Sequence, residues 1–292
     1  MPDIKIAAVM RLGMYSPNHI GNDAAILNMV GDRLRKRGLE VSFYSEEQLS
    51  RGEVTENVII NMCREARSIK LLQQMEDDGK LVINSGYAIE NCICERMATI
   101  LLGSGVAYPA SVMTRTDEAV VARMNEAGIS RAWVKRGDSH GLHKEDVSYV
   151  RGPEEAQDVL QEYFLRGIKR AVVNRHLEGK LVKFYGIADG SFFIWFYPME
   201  EDDRLRVKGA RSRKPSMAAD DDPLTPSLMA LAGKAAEALD VDIYGGEAIL
   251  THDGRLSIVD FNDWPSFSPC RSEAAPRIAR YVMGRIKSHF GD

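Results

Sequence analysis

This sequence has few cysteines, only short apolar runs and little excess of charge of one sign. Only four of its 292 residues are cysteines and none form a CxxC pair, which argues against a disulfide framework or a thiolate metal site. The longest apolar runs, such as 192–197, fall far short of the roughly 20 residues that a membrane helix needs. The first residues also lack the basic, apolar and small-residue series of a signal peptide. We therefore expect a soluble, cytoplasmic protein.

The net charge is also small, at -4 with a pI near 5.9. This balance argues against nucleic acid as the main partner, although it leaves room for a local basic patch. With 45% hydrophobic residues, the chain is able to bury a large core and to form two or three lobes around one site.

Three blocks follow one another along the chain. The first, to about residue 91, alternates predicted strands (4–10, 39–44, 58–62, 81–84) with predicted helices (24–37, 68–76). Such alternation indicates a parallel sheet flanked by helices. Asn22-Asp23 and Gly38 have the residue types that cap the two ends of the first helix. No GxGxxG motif follows the first strand, so a dinucleotide site there is not supported.

The second block, 92–175, contains a strand lysine followed by a small glycine-bearing loop. Lys135 ends the predicted strand 132–135, and the loop 136–141 comes next. Backbone N–H groups of such a loop are able to bind phosphate oxygens, with the lysine as countercharge. The other predicted elements are helices at 96–102, 117–127 and 154–166 and strands at 147–150 and 170–174.

The third block, 176–292, ends in an acidic hairpin. Strands 180–187 and 192–197, a charged loop at 200–222 and a helix at 225–239 precede the hairpin, and a helix at 275–287 follows it. An Asp253-Gly254 turn joins the hairpin strands. Glu247 opens the first strand, and Asp260 and Asn262 close the second on one face, because side chains alternate along a strand. These oxygen ligands suit Mg²⁺, while an ordinary hairpin with acidic ends is the alternative.

Taken in order, the strand lysine and loop, the strand 172–179, the helix and the hairpin followed by Pro265-Ser266 resemble the ATP-grasp superfamily. This superfamily includes D-alanyl-D-alanine ligase, glutathione synthetase and the inositol trisphosphate kinases. The resemblance implies a mixed α/β and α+β fold: a Rossmann-like α/β domain at 1–91, a central grasp subdomain at 92–175 and a C-terminal grasp subdomain at 176–292. It also implies ATP and one or two Mg²⁺ ions as cofactors, with Mn²⁺ as a substitute.

The resemblance assigns roles to individual residues. The metal ligands are Glu247, Asp260 and Asn262. The ATP-binding residues are Arg96, Lys135, Ser139, His140, Gly141, Arg175, His176, Leu177 and Lys183. Arg96 takes the place of a lysine that related enzymes carry on this helix. Lys183 lies in the segment 181–186, which resembles the corresponding strand of the inositol phosphate kinases.

The resemblance also gives candidates on the substrate side. Lys208 and Arg211 are the candidate catalytic cations, with simple solvation as the alternative. Ser266, Ser268 and Arg271 are candidates for binding a substrate anion, with a proline turn and a helix cap as their alternatives.

The function that the resemblance implies is an ATP- and Mg²⁺-dependent ligase. It would activate a small carboxylate as an acyl phosphate for attack by an amine, with release of ADP and phosphate. A small-molecule kinase and a nucleotide-binding protein with impaired catalysis are the alternatives. The expected partners are anionic small molecules and a second copy of the chain in a homodimer, but neither nucleic acid nor a membrane.

Overall fold

The N-terminal part of the chain folds around a parallel sheet. The computed structural model describes residues 4–16, 20–140, 143–198, 216–218 and 221–291. Its first sheet contains β1 (Lys5–Met10), β2 (Glu40–Ser45), β3 (Val58–Asn61) and β4 (Leu81–Ile83) in the order β2-β1-β3-β4. Every neighbouring pair is parallel, as the alternation of strands and helices predicts.

Four helices accompany this sheet: α1 (Ile20–Arg35), α2 (Glu46–Ser50), α3 (Ala66–Asp77) and α4 (Gly86–Asn91). Helix α1 begins earlier than the sequence predicts, so Asn22 and Asp23 lie in its first turn and do not cap it. The Asp23 carboxylate instead pairs with Arg11 at 2.9 Å. Gly38 follows the helix with φ of 86°, the left-handed conformation expected of a C-terminal glycine. Helices α2 and α4 are too short to produce a periodic apolar pattern.

The central part of the chain forms an antiparallel sheet. It contains β5 (Ser111–Arg115), β6 (Ala132–Arg136), β7 (Val147–Val150) and β8 (Arg170–Arg175) in the order β5-β8-β6-β7. Helices α5 (Cys94–Gly103), α6 (Val121–Glu126) and α7 (Pro153–Leu165) belong to the same stretch of sequence. The sequence analysis missed β5 and extended α6 by several residues at its start.

The third sheet is also antiparallel. It contains β9 (Lys180–Ile187), β10 (Phe193–Tyr197), β11 (Ser216–Met217), β12 (Ile243–Leu250) and β13 (Leu256–Asp263) in the order β11-β10-β9-β12-β13. Helices α8 (Thr225–Leu239) and α9 (Arg271–Phe290) follow β11 and β13. Over 4–16, 20–140, 143–198, 216–218 and 221–291, no helix is long and apolar enough to cross a membrane.

Two helices pack outside the sequence block in which they were expected. Ile278 and Val282 of α9 share a buried core with Ile26 of α1 and Ile60 of β3, so the last helix covers the first sheet. Met97 and Leu101 of α5 share a core with Phe184 and Leu228 of the third sheet and its helix. The three sheets are therefore joined by continuous apolar packing rather than by exposed linkers.

A glycine in β12 allows the strands around the hairpin to approach closely. A Cβ on Gly246 would lie 2.5 Å from Phe184 Cζ and 2.6 Å from the Asp260 carbonyl oxygen. We expect Gly246→Ala to lower the free energy of unfolding by about 1–3 kcal/mol because the core has no room for the methyl group.

Gly233→Ala is the matched control for this substitution. A Cβ at Gly233, inside α8, meets no atom within 4 Å, so alanine should raise the free energy of unfolding by about 0.5–1 kcal/mol. Urea denaturation of both variants measures the difference, and equal midpoints would contradict the packing described here.

Candidate functional site

The β12–β13 hairpin brings two carboxylates directly opposite each other. Glu247 pairs with Asp260 in the antiparallel register, and opposed residues on neighbouring strands point to the same face. Asn262 lies two residues beyond Asp260 and so shares this face. Both strands are longer than predicted, so Glu247 and Asp260 lie within strands rather than at their ends.

A β-bulge shapes the same hairpin. Glu247 pairs with Asp260 but Ala248 pairs with Ile258, which leaves Val259 as an extra residue. The carbonyl oxygen of Val259 accepts a hydrogen bond from Lys135 Nζ at 2.8 Å, and the same Nζ lies 3.9 Å from Asp260 Oδ1. A lysine of the central sheet therefore reaches the acidic face of the third sheet.

Other polar groups already engage the three candidate metal ligands. Lys183 Nζ lies 2.7 Å from Glu247 Oε1, and Asn262 Nδ2 donates to Asp260 Oδ2 at 2.7 Å. Among the described residues, no group of three or more His, Cys, Asp or Glu side chains is placed to hold a metal ion. Two carboxylates with an amide oxygen nevertheless suit Mg²⁺, which uses one or two carboxylates and takes its other ligands from phosphate and water.

A cavity of about 530 Å³ between the central and third sheets is lined by Lys135 and by the three candidate metal ligands Glu247, Asp260 and Asn262. Its apolar wall consists of Cys92, Cys94, Met97, Pro109, Trp133, Val147, Leu177, Leu181, Ile249 and Val259. Its polar wall consists of Arg64, Lys135, Arg136, Ser139, His140, Asp146, Asn174, Arg175, His176, Glu247, Asp260 and Asn262. A cleft with one apolar region and a few convergent charges is typical of a small-molecule site.

The apolar and acidic parts of the cavity follow one another along the third sheet. Leu181 of β9 is opposite Ile249 of β12, and two residues further along Lys183 is opposite Glu247. The cavity therefore has an apolar end at the first pair and a charged end toward Glu247. Pockets of this kind are able to hold a nucleotide with its base against apolar side chains.

The last residue of β8 and the two residues that follow it border the cavity. Arg175, His176 and Leu177 all line it. The Arg175 guanidinium, however, donates to the carbonyl oxygen of Ala127 at 2.9 Å, and the His176 ring accepts a hydrogen bond from Trp133 Nε1 at 3.1 Å.

The loop after β6 is anchored at its base. Gly137 donates its N–H to the Arg170 carbonyl oxygen at 2.8 Å, and Arg136 Nε donates to Asp138 at 2.7 Å. A Cβ at Gly137 would lie 3.0 Å from the Arg170 carbonyl carbon, so the close approach favours glycine. Ser139 and His140 then border the cavity, whereas Gly141 lies outside the described residues.

His140 is buried and neutral. Burial lowers its pKa well below 6.5, and the nearby Arg64 and Arg11 guanidinium groups lower it further. Arginine only donates, so the contact of 3.0 Å between Arg64 Nη1 and His140 Nδ1 makes Nδ1 the acceptor. The side chain thus links the loop to the first sheet, whereas the sequence analysis expected it to contact ATP.

The lowered pKa of His140 makes stability depend on pH. The folded chain keeps His140 neutral, while the unfolded chain binds a proton below about pH 6.5. The contribution of His140 to the free energy of unfolding is therefore fully present above about pH 6.5. At lower pH it decreases, by at most about 1.4 kcal/mol per pH unit. We expect His140→Gln to make the loss between pH 6.5 and pH 5 shallower in urea denaturation.

His252→Gln is the control for this prediction, since His252 is exposed in the hairpin loop. In urea denaturation, the stability of His252→Gln should depend on pH in the same way as that of the unmodified chain. An unchanged slope in His140→Gln would mean that His140 titrates normally in the folded protein.

Several predicted site residues lie away from the cavity. Arg96 is half-exposed and pairs with Glu90 at 3.2 Å. Arg271 begins α9 and donates to Asn22 Oδ1 at 2.9 Å. In the part of the chain that the structure describes, Lys183, Ser266 and Ser268 also do not line the cavity. Lys208 and Arg211 lie outside the described residues.

Arg64 is the main residue of the cavity wall that the sequence analysis missed. It lies just beyond the carboxyl end of β3, the edge of a parallel sheet at which ligands usually bind. This position after a predicted strand was the feature of the sequence from which Arg64 could have been predicted. Trp133 was also missed, and it shares one face of β6 with Lys135 two residues away.

In this arrangement two antiparallel sheets enclose a cavity, and the parallel sheet that precedes them contributes Arg64 to its wall. Neither a protein-family model nor a curated protein matches this sequence.

Solved structures match along nearly the whole chain. D-alanine–D-alanine ligase from Bacillus anthracis, solved as a complex with ATP, has a TM-score of 0.74 and 12% identity over 98% of both chains. D-alanyl-alanine synthetase A from Vibrio cholerae has a TM-score of 0.72 and 9% identity over 99% of both chains. The ATP-grasp ligase PsnB, complexed with a minimal precursor, has a TM-score of 0.66 and 16% identity over 97% of this chain and 99% of its own. This chain therefore has the ATP-grasp fold.

Proposed function

We propose that this protein is an ATP- and Mg²⁺-dependent ligase that activates a carboxylate as an acyl phosphate for attack by an amine. The observation that carries the proposal is the convergence of Lys135 from the central sheet with Glu247 and Asp260 from the third sheet in one cavity. Phosphoryl transfer depends mainly on such positioning and charge neutralisation. The structural neighbours are themselves ligases, and one was solved with ATP and another with Mg and ADP.

Different residues along the cavity contact the base, the phosphates and the metal ion. Leu181 and Ile249 contact the base, and Lys135 neutralises phosphate oxygens. Glu247, Asp260 and Asn262 hold Mg²⁺, which supplies charge neutralisation at the phosphates. For the ion to bind, the Lys183 ammonium has to leave Glu247 or turn to a phosphate oxygen.

The reaction balances in two steps. A carboxylate oxygen attacks the γ-phosphorus and the bond to ADP breaks, giving an acyl phosphate. An amine then attacks the acyl carbon, loses a proton and displaces inorganic phosphate, which retains one oxygen of the original carboxylate. During the reaction the cavity would have to exclude water, which would otherwise hydrolyse the acyl phosphate.

The transferred oxygen provides the test. The protein is incubated with ATP, Mg²⁺, a pool of carboxylates labelled with ¹⁸O, a pool of amines and a pool of polyols, and the products and the released phosphate are analysed by mass spectrometry. The ligase predicts an amide, ADP and phosphate with one ¹⁸O atom. A stable phosphate ester without amide would instead identify a kinase, and Mg²⁺-dependent ATP binding with neither product would identify a protein with impaired catalysis.

A further inference from the structure

Arg64 has hydrogen-bonding capacity that the protein does not use. Its side chain is 12% exposed and borders the cavity. Nη1 contacts His140 Nδ1 at 3.0 Å, and Nη2 contacts the Asp263 carbonyl oxygen at 3.2 Å. Among the described residues Nε has no hydrogen-bond partner. Nη1 carries a second N–H besides the one that faces His140, so the guanidinium retains a donor for a ligand in the cavity.

The groups around Arg64 are also incompletely satisfied. Asp263 Oδ1 lies 2.9 Å from Arg64 Nη2, but neither carboxylate oxygen makes a hydrogen bond with a described residue. His140 Nε2 is likewise buried without a hydrogen-bond partner in the described parts of the chain. Asp263 compensates the charge of Arg64, and the planar guanidinium is able to bridge this carboxylate and a second carboxylate from a ligand.

Glu46 fixes the backbone that carries Arg64. This buried carboxylate accepts N–H hydrogen bonds from Leu12 at 2.9 Å, from Arg64 at 2.8 Å and from Glu65 at 2.7 Å. The loops after β1 and β3 are thereby tied together before any ligand arrives. A receptor on a fixed backbone loses little entropy on binding.

The length of β13 separates the residue that Arg64 contacts from Asp260. Asp263, which Arg64 contacts, lies three residues beyond Asp260 on β13, or about 10 Å along the strand. The base-binding pair Leu181 and Ile249 lies on the other side of Glu247. Asp263 directly follows Asn262, so Arg64 lies at the Asn262 end of the cavity, away from the proposed base site and several bonds away from a group placed beside Asp260.

We propose that Arg64 binds a second carboxylate of the substrate, separate from the carboxylate that is activated. The inference rests on the proposed ligase function and narrows its substrate class to acids with two carboxylates several bonds apart. The first carboxylate would lie beside Asp260, and the second would complete the donors of Arg64.

The test compares dicarboxylates with monocarboxylates of equal length in the presence of Mg²⁺ and adenylyl imidodiphosphate, which does not transfer its γ-phosphate. Glutarate and adipate are compared with pentanoate and hexanoate by titration and thermal shift. We expect the dicarboxylates to bind more tightly than the monocarboxylates, and Arg64→Met to reduce this preference about 10- to 100-fold, with both classes of acid measured in the same variant.

Two further variants keep the test decisive. Arg96→Met removes an exposed arginine outside the cavity and should change nothing. Arg64→Lys retains the charge without the planar fork, so it should weaken the dicarboxylates several-fold, and it serves if Arg64→Met fails to fold.

The outcomes separate the inference from the function on which it rests. Equal binding of dicarboxylates and monocarboxylates, or a preference that survives in both Arg64 variants, would overturn the role of Arg64. Binding of inorganic phosphate in place of dicarboxylates would overturn the substrate class. Absence of any response to nucleotide and Mg²⁺ in the unmodified chain would instead remove the proposed function itself.

Discussion

We expect Asp260→Ala to weaken Mg²⁺-dependent binding of ATP on the order of 100-fold or more. Asp260 faces Glu247 across the hairpin and is 37% exposed toward the cavity, so both carboxylates are available to one ion. Removing one of them leaves a single carboxylate and an amide to hold a doubly charged ion. Lys135 Nζ, 3.9 Å from the lost carboxylate, would then add to the uncompensated positive charge.

Thermal shift with ATP in the presence and absence of Mg²⁺ measures this effect. Asp253→Ala is the matched control, because Asp253 is an acid of the same hairpin whose carboxylate interacts with Thr251 and Arg255 at the exposed tip. Its nucleotide response should equal that of the unmodified chain. An Asp260→Ala protein with a full Mg²⁺-dependent shift would show that the hairpin does not hold the metal.

The second large effect is expected for Lys135→Ala. Its ammonium group crosses from β6 to the Val259 carbonyl oxygen at 2.8 Å and is only 15% exposed, so it is a partly desolvated charge facing the cavity. Charge-assisted hydrogen bonds of this kind contribute about 1.5–3 kcal/mol, which predicts a loss of about 10- to 100-fold in ATP affinity.

Isothermal titration of ATP in the presence of Mg²⁺ measures this loss. Lys169→Ala is a suitable comparison, since Lys169 is exposed and holds the same loop through its backbone N–H to Asp138 at 3.1 Å. Removing its side chain should leave the affinity unchanged. Equal losses in both variants would point to general electrostatic attraction rather than to a specific contact by Lys135.

The sequence predicted the parts of the fold that depend on local pattern. Alternation of strands and helices gave the parallel first sheet, and Asp253-Gly254 gave the hairpin. The bulge at Val259 escaped prediction because it exists only in the pairing of two strands, and a single strand carries no sign of an unpaired residue. Without the bulge, Asp260 would not lie opposite Glu247.

Contacts between distant parts of the chain were the least predictable. Arg64 and Asp263 are 199 residues apart in sequence, so nothing local links them. Arg96 was chosen by order in the chain, but the turn of α5 points it toward Glu90 instead of the cavity. The packing of α9 against α1 likewise depends on complementary apolar faces, which sequence periodicity reveals one helix at a time.

Calorimetric titration with adenylyl imidodiphosphate, with and without Mg²⁺, tests the central claim most directly. If the cavity between the central and third sheets holds ATP through Lys135 and a metal at Glu247, Asp260 and Asn262, one nucleotide should bind per chain. Its affinity should rise strongly with Mg²⁺ and lose that rise in Asp260→Ala. No binding, or binding that is equally tight without Mg²⁺ and in Asp260→Ala, would contradict the assignment of this cavity as an ATP and Mg²⁺ site.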